Sequence, residues 1–204
     1  HVRRSVVQLA TGKTEGKFSL VDGLEAAPLR ETDLIVETVP EDLALKRRVF
    51  EQLEKLASAN VPIASNASGF PISAIAGHLD SASRSAGLHF FLPAHVVPVV
   101  EVVKGERTSD ATMDFLFDTM RAVGRVPVRV KRDTPGFLAN RIQHALMREV
   151  FSILDEDLAS PEDVDAAVRF GFGFRYVAAG PLMQKEFAGL DTQLAAATSI
   201  YPAL

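Results

Sequence analysis

Between Lys17 and Lys131, short apolar runs alternate with longer stretches whose apolar positions recur every three or four residues. The short runs predict strands at Lys17–Leu20, Asp33–Thr38, Val61–Ser65, Gly87–Phe91, Val99–Val103 and Val126–Val130. Between them, Leu43 to Ala57 places Leu45, Val49, Phe50, Leu53 and Leu56 on one helical stripe, with Arg47, Glu51 and Glu54 turned away. Thr108 to Val123 repeats the pattern: Thr108 or Ser109 is available as N-cap, Met113, Leu116 and Met120 form the stripe, and Gly124 closes it. Strand and helix in alternation predict an α/β fold with a doubly wound, mainly parallel sheet.

After Asp133-Thr134-Pro135-Gly136 the strand pattern ceases. Leu138, Ile142, Ala145, Leu146, Glu149, Val150 and Ile153 mark a long helix opening an all-helical domain, so the boundary is placed near Arg132, giving domains 1–132 and 133–204. Ser160-Pro161-Glu162-Asp163 reads as a helix start, with serine as N-cap, proline in the first turn and two acids at the positive helix end; Gly171 is the expected C-cap. A third helix is expected from Asp191-Thr192 through Ile200. Phe137, Phe151, Phe170, Phe172, Phe174 and Leu182 are more large apolar residues than three short helices bury, which predicts a homodimer formed through this domain.

The 204 residues are 47% hydrophobic, ample for a packed core. Twenty-two basic and 26 acidic residues are interleaved to a net charge of −4, so there is no basic stripe of the kind nucleic acid or an anionic membrane requires, and neither partner is expected. No cysteine is present, which removes disulfides, thiolate nucleophiles and Cys-ligated metal and is compatible with a cytoplasmic location. No metal site is expected. No apolar run approaches the ~18 residues of a membrane span. The opening His-Val-Arg-Arg-Ser has no initiator Met and no signal-peptide core, and it reads as the middle of a helix, so an N-terminally incomplete chain is expected.

The chemistry concentrates between Gly87 and Val103, where His89 ends one apolar strand and Glu101 lies inside the next. A neutral imidazole takes a proton from an alcohol near pH 7, and a carboxylate on its far nitrogen fixes the tautomer and stabilises the imidazolium that results. Ser65-Asn66-Ala67-Ser68-Gly69 ends another strand at the carboxyl edge, where ligands bind in open α/β sheets. Ser68 also suits the N-cap of a helix over Pro71 to Leu79.

Three segments, Glu37-Thr38-Val39-Pro40-Glu41-Asp42-Leu43, the run from Gly87 to Val103 that opens Gly-Leu-His-Phe-Phe-Leu-Pro, and Asp133-Thr134-Pro135-Gly136-Phe137-Leu138-Ala139-Asn140-Arg141, come in an order that resembles the L-3-hydroxyacyl-CoA dehydrogenase family. The resemblance runs from about Lys17 to the C-terminus. It implies a Rossmann-like sheet followed by a helical domain, NAD as cofactor, and oxidation of a 3-hydroxy group on a small-molecule substrate to a 3-keto group. It also implies His89 as general base oriented by Glu101, Ser68 and Asn140 as substrate contacts, and Glu41, Lys46 and Ser68 at the nicotinamide and ribose end of the cofactor. No G-x-G-x-x-G occurs, the nearest approach being Gly171-Phe172-Gly173 after a helix. The first βαβ unit is therefore expected to be missing, roughly the first 50 residues of a dinucleotide domain.

Where acyl-CoA enzymes read His-Phe-Phe-Asn-Pro, this chain has Leu92, which offers neither donor nor acceptor. The resemblance puts a 3-hydroxyacyl-CoA dehydrogenase first; the alternatives are a dehydrogenase of a small free 3-hydroxy acid such as carnitine or gulonate, for which Arg175 is a candidate carboxylate partner, and a non-catalytic, crystallin-like structural protein. The lysine-dependent β-hydroxyacid dehydrogenases are disfavoured, because their G-x-x-G-x-G-x-x-x-K helix is absent.

Overall fold

The computed structural model describes residues 19–203. Its five strands form one sheet in the order β1 (Ile35–Glu37), β2 (Ile63–Ser65), β3 (Ser85–Phe90), β4 (Val99–Val103) and β5 (Val126–Val130). β1, β2 and β3 are mutually parallel, β4 runs against β3, and β5 is parallel to β4. The parallel pairs need crossovers. α1 (Leu43–Leu56) joins β1 to β2, the short α2 (Ile72–Ala76) lies between β2 and β3, and α3 (Asp110–Ala122) joins β4 to β5. Of the expected strand at Lys17–Leu20, Lys17 and Phe18 lie outside the described residues, and Ser19 and Leu20 form no strand.

Local signals set the helix ends. Asp42 caps α1 by accepting from the Leu45 N–H, and Ser109 caps α3 by accepting from the Thr112 N–H. Gly124 takes the left-handed conformation, with φ of 76°, and stops α3. Ser68 is not a cap: α2 begins at Pro71 without a side-chain cap. On one side of the sheet Phe50 and Leu53 of α1 pack with Ile63 and Ile75; another cluster joins Leu88, Val100 and Val102 to Met113, Leu116 and Met120 of α3. Gly87 lies opposite Val103, and a Cβ there would stand 2.8 Å from the Val103 Cβ, so only glycine lets the two strands close.

Two compact units divide after Arg141. The reason is that residues 133–139 are fastened to the sheet unit: Asp133 accepts from the Ser73 N–H, and Phe137 is buried with Val103 and Val130. Phe137 therefore leaves the set of residues available to an intersubunit face.

The second unit carries α4 (Ala139–Asp155, which begins in the first unit), α5 (Pro161–Ala166), α6 (Pro181–Ala188) and α7 (Leu190–Ile200). Ser160 caps α5 through the Asp163 N–H, as expected. Gly171 does not end that helix. It takes no left-handed φ, and the chain continues through a π-helical stretch, Ala167–Phe172, into a 3-10 turn, Gly173–Val177. α6, opened by Gly180-Pro181, went unpredicted although proline at the first helical position is a start signal. Among the described residues of this unit only Val164 is buried, while Phe151, Phe170, Phe174, Leu182 and Phe187 are exposed. No described helix is long and apolar enough to cross a membrane.

Candidate active site

β3 and β4 run antiparallel with His89 directly opposite Glu101, so both side chains point to the same face of the sheet. His89 Nδ1 lies 2.8 Å from Glu101 Oε2, and both residues are buried. The other carboxylate oxygen accepts from the backbone N–H groups of Leu138 at 3.1 Å and Ala139 at 2.8 Å, at the head of α4. Burial works to raise the Glu101 pKa. The hydrogen bond from His89 and the two backbone donors outweigh it, and the carboxyl is held below the usual carboxylate range.

An ionised carboxylate only accepts, so Nδ1 must carry the proton and donate to it. In the neutral ring Nε2 is then the lone-pair nitrogen, and it has no hydrogen-bond partner among the described residues. The ring is walled by Phe91, with centroids 4.5 Å apart, and by Phe137 at 5.6 Å. Phe137 sits at a φ of 49° directly after Gly136 at 76°, a left-handed pair that turns the chain so that Leu138 and Ala139 face Glu101. A proton-accepting nitrogen with a fixed tautomer, backed by a charge that cannot move away, is equipped for general-base chemistry.

The carboxyl ends of β1 and β2 bring the other expected residues together. Ser68 is exposed and its hydroxyl has no partner among the described residues, but its backbone is held on both sides. Its N–H donates to Glu41 Oε1 at 3.1 Å, and its carbonyl accepts from Asn140 Nδ2 at 3.4 Å. Glu41 also accepts from the Gly69 N–H at 3.0 Å. Lys46, by contrast, lies beneath the surface, 1% exposed, with its ammonium 3.1 Å from Glu37 and 3.5 Å from Glu41. Leu92 is 89% exposed in the loop after β3, and His144 is exposed on α4.

Several members of this cluster were not singled out from the sequence. Glu37 is buried and accepts from both Lys46 and Ser65; Asn66 Oδ1 accepts from the Phe90 N–H at 2.9 Å, fixing the backbone beside His89. The available signal was a charged residue at the end of an apolar run, Ile35-Val36-Glu37, on a strand whose inward positions alternate. Among the described residues no group of His, Asp or Glu is arranged to hold a metal ion.

The donor set at this edge suits the nicotinamide and ribose end of a dinucleotide: the rim carboxylate of Glu41 can accept from ribose hydroxyls, and Ser68 offers an unpartnered hydroxyl. A glycine-rich turn for the pyrophosphate is absent from the sequence.

Comparison with known proteins identifies the family. Residues 4–134 match the family described as "3-hydroxyacyl-CoA dehydrogenase, NAD binding domain", and residues 136–203 match its "C-terminal domain". The chain is 36% identical over 159 residues to 5-formyl-3-hydroxy-2-methylpyridine 4-carboxylate 5-dehydrogenase of Mesorhizobium japonicum, covering 78% of this chain and 52% of that protein. It is 39% identical over 167 residues to human mitochondrial hydroxyacyl-coenzyme A dehydrogenase, covering 82% and 52%. The crystal structure of a 3-hydroxyacyl-CoA dehydrogenase of Archaeoglobus fulgidus superposes with a TM-score of 0.79 at 32% identity, covering 86% of this chain and 60% of that one. The chain thus spans about half the length of the curated relatives it matches.

The depressed Glu101 pKa has a pH signature. Its ionised, paired form contributes stability that is complete above the unfolded pKa of about 4.3 and is lost as pH falls through the lower folded value. Glu101→Gln is expected to unfold about 2 kcal/mol more easily than the parent at pH 7, with the gap closing below about pH 4. Urea titrations across that range check it; a gap that stays constant with pH would contradict it.

Proposed function

The chain belongs to the 3-hydroxyacyl-CoA dehydrogenase family, and on that premise we propose that it serves the NAD-dependent oxidation of a 3-hydroxyacyl-CoA to the 3-keto compound. The observation that carries the reading is the 2.8 Å pairing of His89 Nδ1 with a buried, ionised Glu101, which leaves Nε2 to take the substrate's hydroxyl proton. NAD supplies the hydride acceptor for the hydrogen on the same carbon. As the proton arrives, the ring becomes an imidazolium whose charge Glu101 offsets across the existing hydrogen bond. Phe91 and Phe137 pack tilted against the ring. Ser68 orients the reacting oxygen with its hydroxyl, and Asn140 joins it from the head of α4. Glu41 faces the ribose from the rim, while Lys46 contributes from below by holding Glu41.

Leu92 favours a second reading, a small free 3-hydroxy acid as substrate, because the side chain at the expected hydrogen-bonding position is apolar. The Mesorhizobium relative, named for a pyridine carboxylate, is in keeping with this breadth. The exposed aromatic residues of the helical unit support a homodimer formed through it.

In the full-length protein, His89→Asn is expected to lower kcat by about 100-fold or more with little change in cofactor affinity; an unchanged kcat would remove His89 from the reaction. Leu92→Asn should raise kcat/KM for a 3-hydroxyacyl-CoA relative to a free 3-hydroxy acid, since a matched polar pair is worth ~1 to 3 kcal/mol. A ratio that does not move means that Leu92 does not face the substrate. Light scattering at micromolar concentration should give the mass of two chains; a monomer would refute the dimer.

A further inference from the structure

The Glu37 carboxylate is the hub of a buried network that the base does not use. Glu37 Oε2 accepts from the Ser65 hydroxyl at 2.7 Å, and Oε1 takes the Val39 N–H. The Lys46 ammonium lies 3.1 Å from Oε1 and 3.3 Å from Oε2. That ammonium also donates to the Val39 carbonyl at 3.1 Å and stands 3.5 Å from Glu41 Oε2. Three directions are thereby occupied, matching the three protons of an ammonium group, which leaves little for a ligand. The opposite oxygen of Glu41 receives the N–H groups of Ser68 and Gly69. One unbroken polar chain runs from the end of β1, through Lys46 and Glu41, to the backbone of Ser68.

We propose that Glu37 is a positioning residue: through Lys46 and Glu41 it clamps the Ser68–Gly69 backbone and so fixes where the Ser68 hydroxyl stands. Its kinetic consequence rests on the role proposed above for Ser68; the clamp itself does not. Burying a carboxylate and an ammonium together costs several kcal/mol of desolvation, which their attraction returns only with good geometry. A network that places two carboxylates on one ammonium is over-determined for stability alone. Its distinctive property is that the loop after β1 and the loop after β2 cannot shift independently.

Amide hydrogen exchange tests the clamp without turnover. In Glu37→Gln the amides of Ser68 and Gly69 should exchange about tenfold faster, while those of Ala64 and Leu88, in the strands, keep their protection. Unchanged Ser68 and Gly69 exchange would overturn the inference whatever the activity, and a general loss of protection would reduce Glu37 to a stability role. Should the single variant fail to fold, Glu37→Gln with Lys46→Met removes both buried charges together, an exchange proteins often tolerate, and the same two amides should loosen. In the full-length protein Glu37→Gln should lower kcat about tenfold, and should cost little further in kcat in a Ser68→Ala background. Losses that multiply in the double variant would show that Glu37 does not act through Ser68.

Discussion

The Glu101 carboxylate is the interaction on which the rest of the site depends. One oxygen holds the His89 ring and the other the head of α4, so a single charge sets the tautomer of the base and the place where the chain leaves the sheet. A buried carboxylate is costly unless its lone pairs are met, and here a ring nitrogen and two backbone N–H groups meet them. Losing any one donor would leave part of a desolvated charge unpaired. The constraint is therefore shared: the helix head, the imidazole and the carboxylate hold their geometry only together.

A second charged centre follows the same logic with different parts. Glu37, buried at the end of β1, holds Lys46 and Ser65 much as Glu101 holds His89 and the α4 backbone. Between them lies Asn66, whose N–H donates to the Glu37 carbonyl and whose side chain accepts from the Phe90 N–H next to the base. The carboxyl edge is thus laced across three strand ends by polar bonds that water would otherwise satisfy.

The sequence revealed the five strands of the sheet, the two long helices of the sheet unit and the pairing of His89 with Glu101, because apolar periodicity and a His-to-Glu spacing across one loop are local signals. Nothing local in the sequence announces that Phe137 folds back onto Val103 and Val130. Gly171 looked like a helix end, yet it does not adopt the left-handed φ with which a C-terminal glycine commonly closes a helix, and residue type alone does not specify φ. The resemblance set Lys46 at the nicotinamide and ribose end of the cofactor but gave no sign of its burial, which depends on Glu37, nine residues earlier in sequence and beside it in space. Charge networks of this kind are tertiary facts, visible only when two loops have been brought to one edge.

Because β4 returns antiparallel to β3, the base and its partner are matched by strand register rather than by the loop between them. Side chains alternate across a strand, so a slip of one residue would turn Glu101 to the opposite face and bring a valine toward His89. The close approach of Gly87 to Val103 pins that register from the far end of the ladder. The loop from Leu92 to Pro98, where Leu92 lies exposed, does not set the register of the pair. Lengthening such a loop costs only fractions of a kcal/mol per added residue. Descendants of this chain could thus rebuild the loop around new ligands while inheriting the proton-transfer pair intact, an evolutionary modularity written into the direction of one strand.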